Sequence, residues 1–225
     1  MADFAFKAVA LFLIILPAPA AAVLARKACP LCTPKTALRR SYTYKHHEKA
    51  AMQSLNHAIF LALNADESSP LFLIAIARLL AELPIALAAL MALYILVRRR
   101  SEKAVAVRLV FTVTLAMAAA WVIRRLHYNP RPFVIDLGRT LIDHAPTASF
   151  PSFHGTFLFS LAAALLFCPK ERASGAAMLL LGLATAWARI YLGVHYPLDM
   201  LGALIIAFAA AAAVHCCILL RRQWT

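Results

Sequence analysis

The sequence predicts an all-α protein, a polytopic membrane helical bundle of five core transmembrane helices with a further apolar segment at the N-terminus. Three observations carry that reading. Of 225 residues, 63% are apolar and only 15% are charged, whereas soluble domains carry roughly a quarter charged residues. Several apolar runs approach the roughly 20 residues that cross a bilayer as a helix. The formal net charge of +13 is gathered in short segments between those runs. That distribution is one of membrane topology rather than nucleic-acid binding, so membrane lipids are expected partners and nucleic acid is not.

Taken in order, residues 1–25 read as a signal sequence or anchor, with Lys7 ahead of an apolar, Ala-rich run that ends at Arg26 and Lys27. Residues 26–50 are polar and basic and include Cys29-Pro30-Leu31-Cys32. A lone CxxC with no second pair is more simply two free thiols than a redox or zinc site. The five cysteines make no disulfide framework. A short amphipathic helix is expected over 48–63, through Ala51, Leu55, Ile59 and Leu63. Pro70 then opens the first span, 70–97. This span carries Arg78 and Glu82 on one face. They are either a self-neutralising buried pair, or Glu82 steers an arginine of a site.

Further spans are expected at 104–126, 152–168, 175–193 and 197–220, with a loop at 127–150 that holds Pro130, Pro132, Gly138 and Pro146. The basic turns at 98–103 and 169–174 and the tail at 221–222 fix the cytoplasmic side. The loop 127–150 and the turn 194–196 then lie outside. Residues 26–49 oppose this pattern, since they are basic yet fall on the outer side. The reading therefore divides the chain into 1–51, an extension or anchor, and 52–225, the membrane-embedded domain, with a start at Met52 slightly favoured.

This threading brings Arg124, Arg131, His154, Arg189, His195 and Asp199 to one face. Ionisable residues inside apolar segments are costly and mark sites. Arginine's planar, always-charged fork matches phosphate oxygens, and three of them from separate segments point to an anion. Ser152 and the amides after Pro151 add a helix N-terminus. Asp199 is placed to reach back across the first turn of a helix to His195. It would fix the imidazole tautomer and leave the other ring nitrogen as a nucleophile. His154, from a different segment, can protonate a leaving oxygen. A metal held by the two histidines and the aspartate would be opposed by three neighbouring cations, so no metal or other cofactor is expected. A transporter would call for inverted repeats or broken helices, and none is evident. A residual structural reading has the polar residues merely lining a loop.

The residues Arg124-x6-Arg131-Pro132, Pro151-Ser152-Phe153-His154 and Ala188-Arg189-x5-His195-x3-Asp199 resemble, in order and spacing, the motifs of the type 2 phosphatidic acid phosphatase superfamily. Arg131 to Val134, Leu141 to Ala145, Ala148 to Ser152 and Gly193 to Asp199 are most similar to its bacitracin-resistance type undecaprenyl-diphosphatases. The resemblance covers about Met52 to the C-terminus. It implies a lipid diphosphate substrate: hydrolysis of undecaprenyl diphosphate to the monophosphate through a phosphohistidine. The site would face the outer side of a bacterial inner membrane, and the reaction would recycle the lipid carrier of cell-wall synthesis without a metal. Phosphatidic acid or phosphatidylglycerophosphate hydrolysis and phosphate transfer to lipid A are the alternatives on the same site. A vanadate haloperoxidase would share the constellation, but those enzymes are soluble. Three departures stand out: Arg124 for Lys, Ala188 for Ser, and Phe153 for the Gly of the superfamily. The last bears on substrate rather than chemistry.

Overall fold

The computed structural model describes residues 51–99 and 103–223, and the regular structure among them is entirely helical. The leader or anchor expected over 1–25 and the Cys29/Cys32 pair lie outside the described residues, as does Arg100 of the basic turn. Residues 51–63 are helical (α1). They are followed by α2 (Leu71–Arg98) and α3 (Lys103–Leu126), then α4 (Phe153–Leu166), α5 (Arg172–Tyr191) and α6 (Pro197–Gln223). Two short 3-10 turns, Pro132–Ile135 and Pro169–Glu171, precede α4 and α5.

Helices α2, α3 and α6, and α5 together with its leading turn, are each long and apolar enough to cross a membrane. Their outer faces expose leucines such as Leu79, Leu83, Leu87 and Leu90, with Phe111 and Ile205. Such a surface is stable only against hydrocarbon. The chain is a multi-pass membrane protein.

Helix α4 is shorter than the expected span at 152–168, although it runs from one end of the bundle to the other. Its 14 residues rise only about 21 Å, against a hydrocarbon core of about 30 Å. It is the central post of the bundle, packed by α3, α5 and α6 and more lightly by α2. Nearly all its residues from Gly155 to Leu165 are buried. A continuous apolar run cannot by itself tell a lipid-facing helix from a buried one. Close approach of α5 is possible because Gly182 faces Phe159; a Cβ there would come within 2.7 Å of the ring.

Hydrogen bonds mark the two ends of the bundle. At one, Arg99 after α2 donates to Glu171 before α5 at 2.7 Å. This joins the two turns that charge counting places on one side. At the other, Ser152 N–H donates to the Asp199 carbonyl at 3.2 Å and Ala65 N–H to the Tyr191 carbonyl at 2.9 Å. The outgoing end of α3, the start of α4, the end of α5 and the start of α6 therefore share one end.

Pro84 lies inside α2. Proline has no N–H to give the carbonyl four residues back, and inside a membrane that carbonyl must find another partner. The Thr185 hydroxyl of α5 donates to the Leu80 carbonyl at 2.9 Å, and Arg189 Nη1 reaches the next carbonyl, Ala81, at 3.5 Å. The proline thus opens a place on α2 where α5 brings its arginine.

Candidate active site

The turn between α5 and α6 sets the centre. Gly193 takes φ +81°, and a Cβ there would collide with the Arg139 carbonyl; only glycine adopts that backbone freely. The turn swings His195 inward, and Pro197 starts α6 so that Asp199 falls in its first turn. Asp199 Oδ2 lies 3.1 Å from His195 Nδ1 and accepts from Tyr196 N–H at 2.9 Å. The Ser149 hydroxyl donates to the same oxygen. On the far side of the ring, Arg131 Nη1 is 3.1 Å from His195 Nε2. Arginine has no lone pair, so Nε2 accepts. The ring hydrogen is therefore on Nδ1, given to Asp199, and the lone pair faces the arginines.

His195 and Asp199 are each 1% exposed. Burial pulls the imidazole down to about 4, against the opposing pull of the Asp199 carboxylate, so the ring is neutral at pH 7. Burial, followed by repulsion from Arg124 and Arg189, lowers Arg131 to about 10, which leaves it charged. Arg131 is held by the Thr147 and Val194 carbonyls at 3.0 and 2.9 Å.

Arg124, in the last turn of α3, donates to the Pro151 carbonyl at 3.0 Å and the Thr147 hydroxyl at 3.1 Å. Its guanidinium lies 4.4 Å over the Phe153 ring centroid, within cation–π range. That contact gives a physical role to the bulky residue that departs from the resembled motif. Ser152 is fully buried and caps α4, accepting from Gly155 N–H at 3.3 Å.

Arg189 is 1% exposed. Its Nη1 is 3.4 Å from Glu82 Oε1, and its Nε is buried with no partner. Glu82 also stands 4.0 Å from His154 Nε2 in the first turn of α4. Arg78 does not complete a self-neutralising pair with it: Arg78 donates to the Leu141 carbonyl at 2.9 Å, and Glu82 turns to Arg189. The glutamate is also not buried, its side chain being 68% exposed. A cleft of about 820 Å³ opens here, lined by Arg78, Glu82, Phe133, Leu141, Asp143 and His144 among others.

The structure thus gathers the residues singled out from the sequence at one bundle end. Sequence reasoning missed Thr147, which ties Arg124 to Arg131, and Ser149, the third group on the His195–Asp199 pair. It also gave no role to His144, whose ring stands edge-on to His195 at 6.3 Å. Burial lowers His144 from its usual range. Ser149 and His144 fall inside stretches quoted for the resemblance, but nothing in their spacing assigns them a role.

Fold and site together define a multi-pass helical membrane protein whose arginines surround a neutral, carboxylate-oriented histidine. Comparison with known proteins carries this further. The sequence profile of the PAP2 superfamily matches residues 105–223, and the chain belongs to that superfamily. It is a lipid phosphatase. The putative undecaprenyl-diphosphatase YbjG of Escherichia coli K12 is 34% identical over 155 residues, 68% of this chain and 78% of the relative. The undecaprenyl-diphosphatase BcrC of Bacillus subtilis 168 is 42% identical over 87 residues, 39% of this chain and 44% of the relative. The crystal structure of Aquifex aeolicus LpxE superposes with TM-score 0.61 at 20% identity, covering 71% of this chain and 94% of that one. This last likeness is one of fold.

Proposed function

We propose that the chain hydrolyses undecaprenyl diphosphate to undecaprenyl phosphate and inorganic phosphate through a phosphohistidine at His195. The observation that carries this reading is the His195 ring, whose Nδ1 is engaged by Asp199 and whose Nε2 faces Arg131. The names of the two curated relatives support the choice of lipid. In the first step the Nε2 lone pair attacks the terminal phosphorus. The bond from phosphorus to the bridging oxygen breaks, and that oxygen leaves with the electron pair and takes a proton from His154. In the second, water attacks the phosphorus and gives its proton to His154. The N–P bond then breaks, returning the lone pair to His195 and releasing phosphate.

Arg124, Arg131 and Arg189 hold the phosphoryl oxygens and stabilise charge in both steps. The unpartnered Arg189 Nε is a donor that a phosphate oxygen would satisfy, since buried donors are seldom left unpaired. Ser152 and the α4 amides add donors at a helix N-terminus. The guanidiniums supply the charge, and no metal or cofactor takes part.

The test is a panel. Purified protein in excess chelator is offered undecaprenyl diphosphate, phosphatidic acid, phosphatidylglycerophosphate, and undecaprenyl diphosphate with lipid A as acceptor. Phosphate release from the undecaprenyl lipid should exceed that from the two glycerolipids by at least about tenfold in kcat/KM, or about 1.4 kcal/mol of transition-state discrimination. Faster hydrolysis of a glycerolipid, phosphate transfer to lipid A, or activity lost to the chelator would each refute the proposal.

We further propose that residues 52–225 are the working domain in a bacterial inner membrane, with the site on the outer face. The basic turns around Lys103 and Lys170, at the end of the bundle opposite the site, support that orientation. A cysteine introduced at Asp136 in the 127–150 loop should react with an impermeant maleimide in intact spheroplasts, whereas one at Lys170 should react only after lysis. The reverse pattern would put the chemistry in the cytoplasm.

A further inference from the structure

We infer that Glu82 of α2 is the positioning carboxylate of His154, holding its imidazole in the protonated form that protonates the leaving oxygen. The inference rests on the reading of His154 as the acid. Its two oxygens are divided between two partners: Oε1 is 3.4 Å from Arg189 Nη1 and Oε2 is 4.0 Å from His154 Nε2. Glu82 lies on a helix outside residues 105–223, the part of the chain matched by the family.

The chemistry requires such a group. An acid must carry its proton before substrate arrives, yet His154 stands among permanent cations. Burial is the first obstacle to a proton there, and Arg189 of α5 and Arg131 of the loop add their charges, with the His195 and His144 rings also facing it; Arg124 of α3 lies over the adjacent Phe153. Every arginine in this set repels a proton on His154. The buried carboxylate of the site, Asp199, is already committed to His195, Ser149 and Tyr196. Asp143 lines the same cleft, but among the described residues Glu82 is the carboxylate found beside His154, 4.0 Å from its Nε2, and an opposite charge at that distance favours the charged imidazole. Its distance exceeds a direct hydrogen bond, as is common for catalytic contacts in unliganded sites. The side chain stands at the mouth of the cleft, free to close on His154 once phosphate oxygens occupy Arg189.

A role as mere counter-ion to Arg189 is distinguishable. It would change substrate affinity, raising or lowering KM, without moving the pH at which the acid loses its proton. The experiment is the pH profile of kcat/KM on undecaprenyl diphosphate, which reports groups of the free enzyme, for the wild type and for Glu82→Gln, Glu82→Asp and His154→Gln. Glu82→Gln should move the alkaline limb about one unit to lower pH and reduce activity at pH 8 about tenfold. The sign follows from removing an anion beside a cation: the proton leaves at lower pH. Glu82→Asp should restore much of the shift, and His154→Gln should abolish the limb. A limb that stays at the wild-type pH in Glu82→Gln, with only KM altered, overturns the inference while leaving His154 as the acid. A limb that persists in His154→Gln overturns the assignment of the acid itself, and the role of Glu82 with it.

Discussion

Replacing His195 with alanine is expected to abolish turnover, a loss on the order of a millionfold, the size seen when a covalent nucleophile is removed. The arginines and serines around it offer no substitute. Arg131 and Arg189 have no lone pairs, Ser149 spends its hydroxyl hydrogen on Asp199, and Ser152 is a buried helix cap. His195→Gln should be equally inactive, because an amide nitrogen is not nucleophilic. Either variant should bind phosphate and remain folded in detergent, which thermal unfolding would check. Residual turnover within about a hundredfold of wild type would show that His195 only assists, as a general base would.

Asp199→Asn is expected to lower kcat by about a thousand- to ten-thousandfold with little change in KM, the scale at which a histidine loses its orienting carboxylate. Two separate effects add. The neutral amide no longer balances the charge that grows on the imidazole as Nε2 bonds phosphorus. The amide also brings donors where the carboxylate has none. Asp199 Oδ1 is buried without a partner, so an NH2 placed there would be an unsatisfied buried donor, costing about 1–3 kcal/mol of stability. Turning the amide over would instead aim that NH2 at the Tyr196 N–H and the Ser149 hydroxyl. Steady-state kinetics and thermal unfolding of the same preparation separate the two. A loss below about tenfold in kcat, with normal stability, would mean that Ser149 and Tyr196 suffice to orient the ring.

Much of this site could be read in the chain because it depends on short spacings. Three residues between His195 and Asp199, with proline at the first helical position, place the carboxylate on the ring whatever the rest of the bundle does. The alternation of apolar runs and basic turns likewise brings Arg124, His154 and Arg189 to one end. What escaped depends on contacts between distant segments. Thr147 and Ser149 are ordinary hydroxyls in a proline-rich loop until that loop folds over Arg124, Arg131 and Asp199. Pro84 is one proline in an apolar helix, and only the packed α5 reveals that it frees a carbonyl for Thr185. Helix α4 reads as a lipid-facing span because hydropathy does not distinguish a lipid neighbour from a protein one; the packing of α3, α5 and α6 around it makes it a buried one. The Arg78/Glu82 spacing allowed two outcomes, and the carbonyl of Leu141, remote in sequence, selected between them.

The proposed mechanism turns on a covalent bond between phosphorus and His195, which rapid quenching of a single turnover would trap. Undecaprenyl diphosphate carrying radiolabel in its terminal phosphate is mixed with excess enzyme, quenched in denaturant at alkaline pH, and digested for peptide mapping. Label is expected on the peptide containing His195, stable to base and lost in mild acid as a phosphoramidate is, and absent from His195→Ala. Product formation with no labelled protein at any quench time, or label that survives acid on another residue, would contradict it.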